Sequence, residues 1–280
     1  MNHFFKNLIL FCISLILIVS IVLVYSHYIG TSGLNVKEQA IHYESLSKDI
    51  YGLKIVHISD IHYGRTIHEK ELENLVKQIN LTKPDILVFT GDLIDKDTQL
   101  SSEEENKIIE ILKKIDVNIG KYAVMGDHDQ ENFDHLIVSS GFTNLNDQYE
   151  TIYFNATDYI LIAGINTNNN KNDKIKEVLS YIETSEVKPN YSILLLHKPD
   201  VIDQIDYSKF NLILAGHSHN GQIRIPGIGA ILKWKGSQKY YDSHYTLNNS
   251  ELYISGGLGV AEINFRLFNH PSFNLYRLVN

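Results

Sequence analysis

The stretch LKIVHISDIHYG, residues 53–64, passes from an apolar run to a polar cluster without a spacer. Its first part, LKIVHIS, is rich in β-branched residues, which is the pattern of a strand buried on both faces. Asp60 and His62 follow at once. Because ligands bind at the carboxyl ends of strands in open α/β sheets, the stretch predicts a buried strand that ends at a functional site.

Four further predicted strands end in clusters of the same composition. The strands and the residues that follow them are DILVFT with Asp92 and Asp95, KYAVM with Gly126, Asp127, His128 and Asp129, SILLL with His197, and NLILA with Gly216, His217 and His219. A lone aspartate at a strand end is often a helix cap, and a lone histidine is often a core residue. Five clusters in chain order are hard to explain by packing, so we interpret them as one site.

The spacing within the clusters suggests how they aim their side chains. Residues two apart point to the same side of an extended chain, which would account for the D-x-H and H-x-H spacings. Gly91, Gly126 and Gly216 stand beside the clusters. We expect these glycines to allow sharp turns.

The rest of the chain predicts an α/β domain. HEKELENLVKQIN (68–80) and EEENKIIEILKKI (103–115) have apolar residues at helical spacing and lie between predicted strands. This alternation is typical of a sheet covered by helices, and the second half of the chain is richer in strands. We expect one catalytic domain over residues 52–280, with His57 as a structural residue inside its first strand.

The donor inventory favours a metal site. It consists of carboxylates and imidazoles, because the single cysteine, Cys12, lies in the N-terminal apolar run. Such mixed nitrogen and oxygen sites suit Mn, Zn or Fe ions. There are too many candidate ligands for one tetrahedral zinc. Two divalent ions about 3.5–4 Å apart would use them.

The N-terminus predicts a membrane anchor. LILFCISLILIVSIVLVY, residues 8–25, carries no charge and has the length of a transmembrane helix. A small-x-small cleavage signature is missing, so we favour a cytoplasmic stub and uncleaved signal anchor over residues 1–26, rather than a cleaved signal peptide. Residues 27–51 read as a linker that can add an edge strand. Lys6 precedes the run, and the positive-inside rule then makes the protein single-pass with an extracytoplasmic catalytic domain.

The charge balance bears on partners. The formal net charge is -8, and no cluster of Lys and Arg accompanies the predicted site. A chain of this charge is a poor candidate for binding nucleic acid through phosphate contacts. A phosphorylated small molecule or lipid held by metal ions remains a suitable substrate. The sequence does not indicate an oligomeric state.

The order D-x-H, G-D-x-x-D, G-N-H-D (GDHD here), H and G-H-x-H resembles the calcineurin-like metallophosphoesterases, from about Leu53 to the C-terminus. LLLHKPD, LAGHSHNGQIRIPGIGA and GGLGVAEINFRLFNHPSFNLYRL are similar to the membrane-anchored bacterial subgroup of that family. The resemblance implies a four-layer α/β-β/α sandwich and a dinuclear metal-dependent hydrolase of phosphoric esters.

The resemblance also implies residue roles. The first metal would be held by Asp60, His62 and His219, with Asp92 as the bridge, and the second by Asp127, His197 and His217. His128 would contact the phosphate and protonate the leaving oxygen. Asp95 would orient His128.

Two positions depart from the pattern. Asp127 stands where the family usually has Asn, and Ser272 stands where the subgroup often has Glu. The extra carboxylate makes the site less positive, which favours a monoanionic diester over a phosphate dianion. It also leaves open a catalytically weak binding protein with the same fold.

The subgroup suggests the kind of substrate without settling it. One option is a lipid-linked or nucleotide-sugar pyrophosphate such as UDP-2,3-diacylglucosamine. Outside the cytoplasm, nucleotide sugars are scarce, so phospholipid or cell-wall phosphodiesters become the better expectation.

Overall fold

Two six-stranded sheets form the centre of the protein. The computed structural model describes residues 3–129, 131–168 and 173–280. The helices are α1 (His3–Val24), α2 (Glu69–Thr82), α3 (Ser102–Lys113), α4 (Phe133–Ser139) and α5 (Asp173–Thr184). The strands are β1 (Asn35–His42), β2 (Lys54–Ile58), β3 (Ile86–Phe89), β4 (Gly120–Ala123), β5 (Thr143–Asn144), β6 (Gln148–Tyr153), β7 (Tyr159–Ile165), β8 (Tyr191–Leu196), β9 (Leu212–Ala215), β10 (Arg224–Ile225), β11 (Gly229–Ala230), β12 (His244–Leu247), β13 (Ser250–Ile254) and β14 (Ser272–Val279).

The strand order brings the carboxyl ends of the central strands together. The first sheet has the order β1-β14-β2-β3-β4-β5, and β2, β3 and β4 are parallel to one another. The second sheet has the order β12-β13-β9-β8-β7-β6, and β7, β8 and β9 are parallel. The short strands β10 and β11 pair as a separate antiparallel hairpin.

Alternating side chains of the strands build the layers. In β2, Ile55 packs between the two sheets, whereas Val56 and Ile58 pack against the helices of the first sheet. Helix α2 supplies its apolar face to that layer with Leu72 and Ile79. A third cluster joins the second sheet to α5. The four-layer α/β-β/α sandwich that the resemblance implied is therefore confirmed.

Helix α1 is exposed along its described length. None of its described residues is buried, and with a following π-helical turn (Tyr25–Ile29) it forms a 27-residue segment that contains an 18-residue window of mean hydropathy 3.1. By length and composition this segment can cross a membrane. Its start, residues 1 and 2, lies outside the described residues.

The segment after α1 contributes to the first sheet. Residues 35–42 form β1, which runs parallel to β14 at the edge of the first sheet. This is the edge strand that the linker was expected to add. The division into an anchor (1–26), a linker (27–51) and a catalytic domain (52–280) stays a prediction.

Candidate metal centre

The predicted ligands meet at the carboxyl ends of β2, β3, β4, β8 and β9. Their donor atoms form two groups, within each of which all donor atoms lie within 4.8 Å of one another. One group is Asp60, His62 and His219, and the other is Asp92, Asp127, His197 and His217. His62 and Asp92 also form such a group with His128, which links the two.

Left-handed backbone aims these side chains. Five candidate ligands have positive φ: Asp60 (53°), His62 (46°), Asp92 (60°), His217 (64°) and His219 (48°). Such conformations are strained for non-glycine residues and concentrate at functional sites. The expectation that strand alternation explains the D-x-H and H-x-H spacings is therefore wrong, because these residues lie beyond the strand ends and are not extended.

The neighbouring glycines also act differently from the prediction. Of the three, Gly91 has a left-handed φ of 95°, as a sharp turn requires. A Cβ at Gly126 would lie 2.1 Å from Asp92 Oδ1, and one at Gly216 would lie 2.0 Å from Ser59 Oγ. These two glycines are needed because other atoms approach their backbone closely.

The first group is compact and buried. His62 Nε2 lies 3.2 Å from His219 Nε2, and His219 Nε2 lies 3.5 Å from Asp60 Oδ1. Asp92 connects this group to the second, because its Oδ2 is 3.5 Å from His62 Nε2 and 3.3 Å from His197 Nε2.

The second group opens to solvent through Asp127. Its Oδ1 lies 3.0 Å from both His197 Nε2 and His217 Nδ1, and its side chain is 28% exposed. His197 Nδ1 is 2.6 Å from the carbonyl of Thr90, and His217 Nε2 is 2.9 Å from that of Lys235. When these nitrogens donate to the carbonyls, His197 Nε2 and His217 Nδ1 keep free lone pairs directed at the group.

The electrostatics of the cluster fit cations. Burial opposes the charged form of His197, yet Asp92 and Asp127 raise the pKa of His197 well above its ordinary value. The carboxylates therefore hold a proton at the place where a metal ion could bind instead. Two pairs of imidazole nitrogens also face each other at 3.2 Å, His62 with His219 and His197 with His217. A donor set of this kind fits two metal ions.

His219 is held differently from His197 and His217. Its Nδ1 lies 3.3 Å from Nη2 of Arg266, which can only donate. Burial first, and then the charges of His62 and Arg266, lower the pKa of His219 well below its ordinary value. When Arg266 donates to Nδ1, the proton of the neutral imidazole lies on Nε2. A metal ion can therefore bind Nε2 only if the contact with Arg266 loosens and the proton moves to Nδ1.

Asp95 makes its closest contacts with Arg65, Asp97 and His62. Among the described residues its carboxylate accepts from Arg65 Nε at 2.9 Å and from the backbone N–H of Asp97, and it lies 3.5 Å from His62 Nδ1. Burial would raise the pKa of Asp95, but His62 and these donors lower it to about 2. Asp95 thus supports His62, and its charge also acts on the pKa of His128, so the orientation of His128 by Asp95 stays a prediction.

His128 lies over the junction of the two groups. Its backbone N–H donates to Asp92 Oδ1 at 2.8 Å, and its ring meets that of His62 edge to face at 4.7 Å. Its Nδ1 is buried without a hydrogen-bond partner among the described residues. Burial lowers the pKa of His128, so in the free protein its imidazole is mostly neutral near pH 7.

The structure adds two supporting residues. Asp129 accepts from the backbone N–H groups of Asp92, Leu93 and Gly126 and so fastens two site loops together. Burial and the charge of Asp92 raise its pKa to about 6. Arg266 is fully buried and donates to the carbonyls of Gly256, Gly259 and Asn269. The sequence places Asp129 in a site cluster without a role of its own, and no spacing signal points to Arg266.

A family model described as calcineurin-like phosphoesterase matches residues 53–221. The chain therefore belongs to the calcineurin-like phosphoesterases, which are hydrolases of phosphoric esters that use dinuclear metal centres.

Curated relatives agree with this assignment. An uncharacterized metallophosphoesterase of Aquifex aeolicus is 30% identical over 265 residues, with 88% of this chain and 92% of the relative covered. The uncharacterized metallophosphoesterase YkuE of Bacillus subtilis is 28% identical, with 91% and 88% covered. A transmembrane protein with metallophosphoesterase domain of Danio rerio is 26% identical, and the match covers 90% of this chain but 59% of that protein.

Among solved structures, TT1561 of Thermus thermophilus superposes with a TM-score of 0.48 at 13% identity. The match covers 74% of this chain and 90% of that one.

Proposed function

We propose that the chain is a dinuclear metal-dependent phosphodiesterase or pyrophosphatase that acts at a membrane surface. The observation that carries the proposal is the position of Asp92, whose Oδ2 lies within 3.5 Å of a histidine from each ligand group. A carboxylate between two sets of ligands suits a bridge between two ions.

The proposed ligands follow the two groups. Asp60, His62 and His219 hold one ion, Asp127, His197 and His217 hold the other, and Asp92 binds both. Bound ions would lower the pKa of a water molecule and stabilise charge on the phosphoryl oxygens. Asp95 is a positioning residue, because its carboxylate lies 3.5 Å from His62 Nδ1 and can fix that ring.

His128 is the proposed partner of the substrate. Its unpaired Nδ1 and its place on the wall of a 170 Å³ cavity with Asp92 and Asp127 suit a hydrogen bond to a phosphoryl oxygen. A bound phosphate would raise the pKa of His128 and favour protonation of the leaving oxygen.

Charge at the mouth of the site favours diesters. Asp127 is the most exposed of the acidic ligands, and Lys198 Nζ lies 3.4 Å from its Oδ2. Lys198 offsets part of the added negative charge. A singly charged diester meets less repulsion there than a doubly charged monoester.

The candidate substrates depend on the side of the membrane on which the catalytic domain lies. Helix α1 is the proposed single-pass anchor. By the positive-inside rule, Lys6 before it favours a catalytic domain outside the cytoplasm. Phospholipid or cell-wall phosphodiesters then fit best. A cytoplasmic domain would instead fit a UDP-2,3-diacylglucosamine-like pyrophosphate.

A substrate screen tests the proposal. The full chain in detergent is loaded with Mn, Zn, Fe or Mg and assayed on aryl monoesters, aryl diesters and pyrophosphates. We expect metal-dependent diester or pyrophosphate hydrolysis that Asp92→Asn abolishes. Metal binding without turnover on any substrate would support the catalytically weak binding protein instead.

A further inference from the structure

The hairpin of β10 and β11 exposes an apolar surface. Ile225, Ile228 and Ile231 are 39%, 74% and 48% exposed, and Ile228 lies at the turn between the two strands. Residues 224–231, here called the isoleucine hairpin, contain no charge besides Arg224. Clustered exposed apolar residues mark interaction surfaces.

Two lysines, Lys233 and Lys235, closely follow this hairpin, within a stretch of sequence that lacks acidic residues. The net charge of the chain is -8, yet residues 207–241 contain no Asp or Glu. Three basic residues of that stretch form ion pairs, Lys209 with Glu183, Arg224 with Asp242 and Lys239 with Asp203. Lys233 and Lys235 form no ion pair among the described residues and remain as the positive charges beside the hairpin. Apolar side chains flanked by lysines complement an anionic lipid surface.

The hairpin is linked to the base of the membrane helix. Residues 25–30, here called the anchor foot, dock on the domain, because Ser26 O accepts from Arg266 N at 2.9 Å and His27 Nδ1 is 2.8 Å from Asn264 O. The next residue along, Leu267, accepts from Arg224 N at 2.9 Å.

The anchor foot and the hairpin are therefore held by neighbouring residues of one loop. Gly30 fits this contact closely, since a Cβ there would lie 1.9 Å from Arg266 O. Phe268 of the same loop is 63% exposed. Four extended residues span at most about 14 Å, so the tip at Ile228 lies near the point where the chain leaves the helix.

The segment that follows the hairpin forms a wall of the metal site. Trp234 and Lys235 line the 170 Å³ cavity that also contacts Asp127 and His128. The carbonyl of Lys235 accepts from His217. A surface that touches lipid through the hairpin would thus hold the cavity beside the bilayer.

We propose that the isoleucine hairpin rests on the anionic bilayer surface that α1 enters, with its isoleucines among the acyl chains and its lysines at the headgroup phosphates. This inference rests on the proposed membrane attachment through α1. It makes the substrate an amphipathic phosphoester that reaches the site from the lipid layer.

The single tryptophan of the chain, Trp234, can test the contact. The full chain is reconstituted in nanodiscs of phosphatidylcholine and phosphatidylglycerol, with or without bromine on the acyl chains. We expect brominated lipid to quench Trp234 and Ile228→Asp to lose that quenching. Leu81→Asp is the matched control, because Leu81 is 68% exposed on α2, and it should keep the quenching.

Two results would overturn the inference. One is that brominated lipid does not quench Trp234 in the wild-type chain, and the other is that Ile228→Asp and Leu81→Asp lose quenching equally. Hydrolysis of a soluble aryl diester, measured on the same nanodiscs, tests the proposed activity separately from the contact between hairpin and lipid. Quenching without hydrolysis supports the hairpin contact and counts against the proposed phosphodiesterase. A chain that does not enter nanodiscs contradicts the membrane attachment on which the inference rests.

Discussion

At Asp127 a carboxylate takes a position for which the family motif usually has an amide. Both of its nearest imidazoles, those of His197 and His217, lie 3.0 Å from the same oxygen. The residue can bind a metal either as Asp or as Asn, because the side-chain oxygen is common to both. The difference is one unit of charge at the mouth of the site.

Replacing this carboxylate tests its effect on substrate choice. In Asp127→Asn we expect the ratio of monoesterase to diesterase activity to rise about tenfold, equivalent to about 1.4 kcal/mol, because a dianion is repelled less. Steady-state kinetics on a matched pair of aryl substrates measures the ratio. Asp97→Asn, a change at an exposed carboxylate paired with Arg65, is the control. If the ratio of monoesterase to diesterase activity is unchanged with each of several metals, the charge of Asp127 does not set the substrate preference.

His57 makes stability depend on pH. It is fully buried between the sheets with Nε2 2.8 Å from Thr90 Oγ1, and burial lowers its pKa to about 3. The unfolded chain binds a proton near the ordinary value of 6.5, so stability is full above that pH and falls as the pH drops towards 3.

Lowering the pH from 7 to 5 should therefore reduce the free energy of unfolding by about 2 kcal/mol through His57 alone. Denaturant unfolding of the chelator-treated chain in detergent, compared with His57→Gln, measures the difference. The variant should lose that part of the pH dependence. Equal pH dependence in both proteins would contradict the assignment.

Residue types and chain order were enough to predict which side chains share the site. They could not give the partner of Asp95, because that carboxylate is fixed by Arg65, whose position depends on how two loops pack. The burial of Arg266 was also not predictable from the sequence. Nothing in its sequence neighbourhood distinguishes a buried arginine from a solvated one.

At the scale of elements, the site depends on close contact between the loops after β3 and β4. Gly126 provides room for Asp92, since a Cβ there would lie 2.1 Å from Oδ1. Asp129 then holds the same two loops through the backbone N–H groups of Asp92 and Gly126. The position of the proposed bridging carboxylate is thus set by backbone packing.

Gly126→Ala should push Asp92 out of place and reduce bound metal below that of the wild-type chain. Elemental analysis of the equilibrated protein measures the metal content. Gly227→Ala is the control, because that glycine has open space around it and a φ of 81°. We expect the control to lose about 1 kcal/mol of stability from backbone strain and to retain its metal. Full metal content in Gly126→Ala would show that the contact does not position Asp92.

The strands and main helices were predictable because their apolar periodicity is strong. Strand β2 and helix α2 lie where the sequence predicted them, and their buried residues follow the expected faces. The loop conformations were not predictable, because a left-handed aspartate or histidine has no distinct sequence pattern. Strand alternation therefore does not account for the D-x-H spacing, because Asp60 and His62 both have positive φ.

At the scale of the whole molecule, the anchor and the catalytic part are joined by direct contacts. Strand β1 continues from the anchor foot into the first sheet and pairs with β14 along its length. With α1 as the proposed membrane anchor, its orientation would set that of the catalytic domain to the bilayer.

The side of the membrane is open to a direct test. We expect protease added to intact spheroplasts to remove a C-terminal epitope tag placed after Asn280, because Lys6 favours a cytoplasmic N-terminus. Detection of the tag by immunoblot before and after lysis provides the measurement. A tag protected until lysis would place the domain in the cytoplasm and would favour a nucleotide-linked substrate.

Two metal ions that share Asp92 are the basis of the proposed activity. Titration of the metal-free full chain with Mn, with bound metal and aryl diester hydrolysis followed together, tests this most directly. We predict two ions per chain, with hydrolysis that rises as the second ion binds and is lost in Asp92→Asn. Full hydrolysis at one ion per chain, or an undiminished rate in Asp92→Asn, would contradict it.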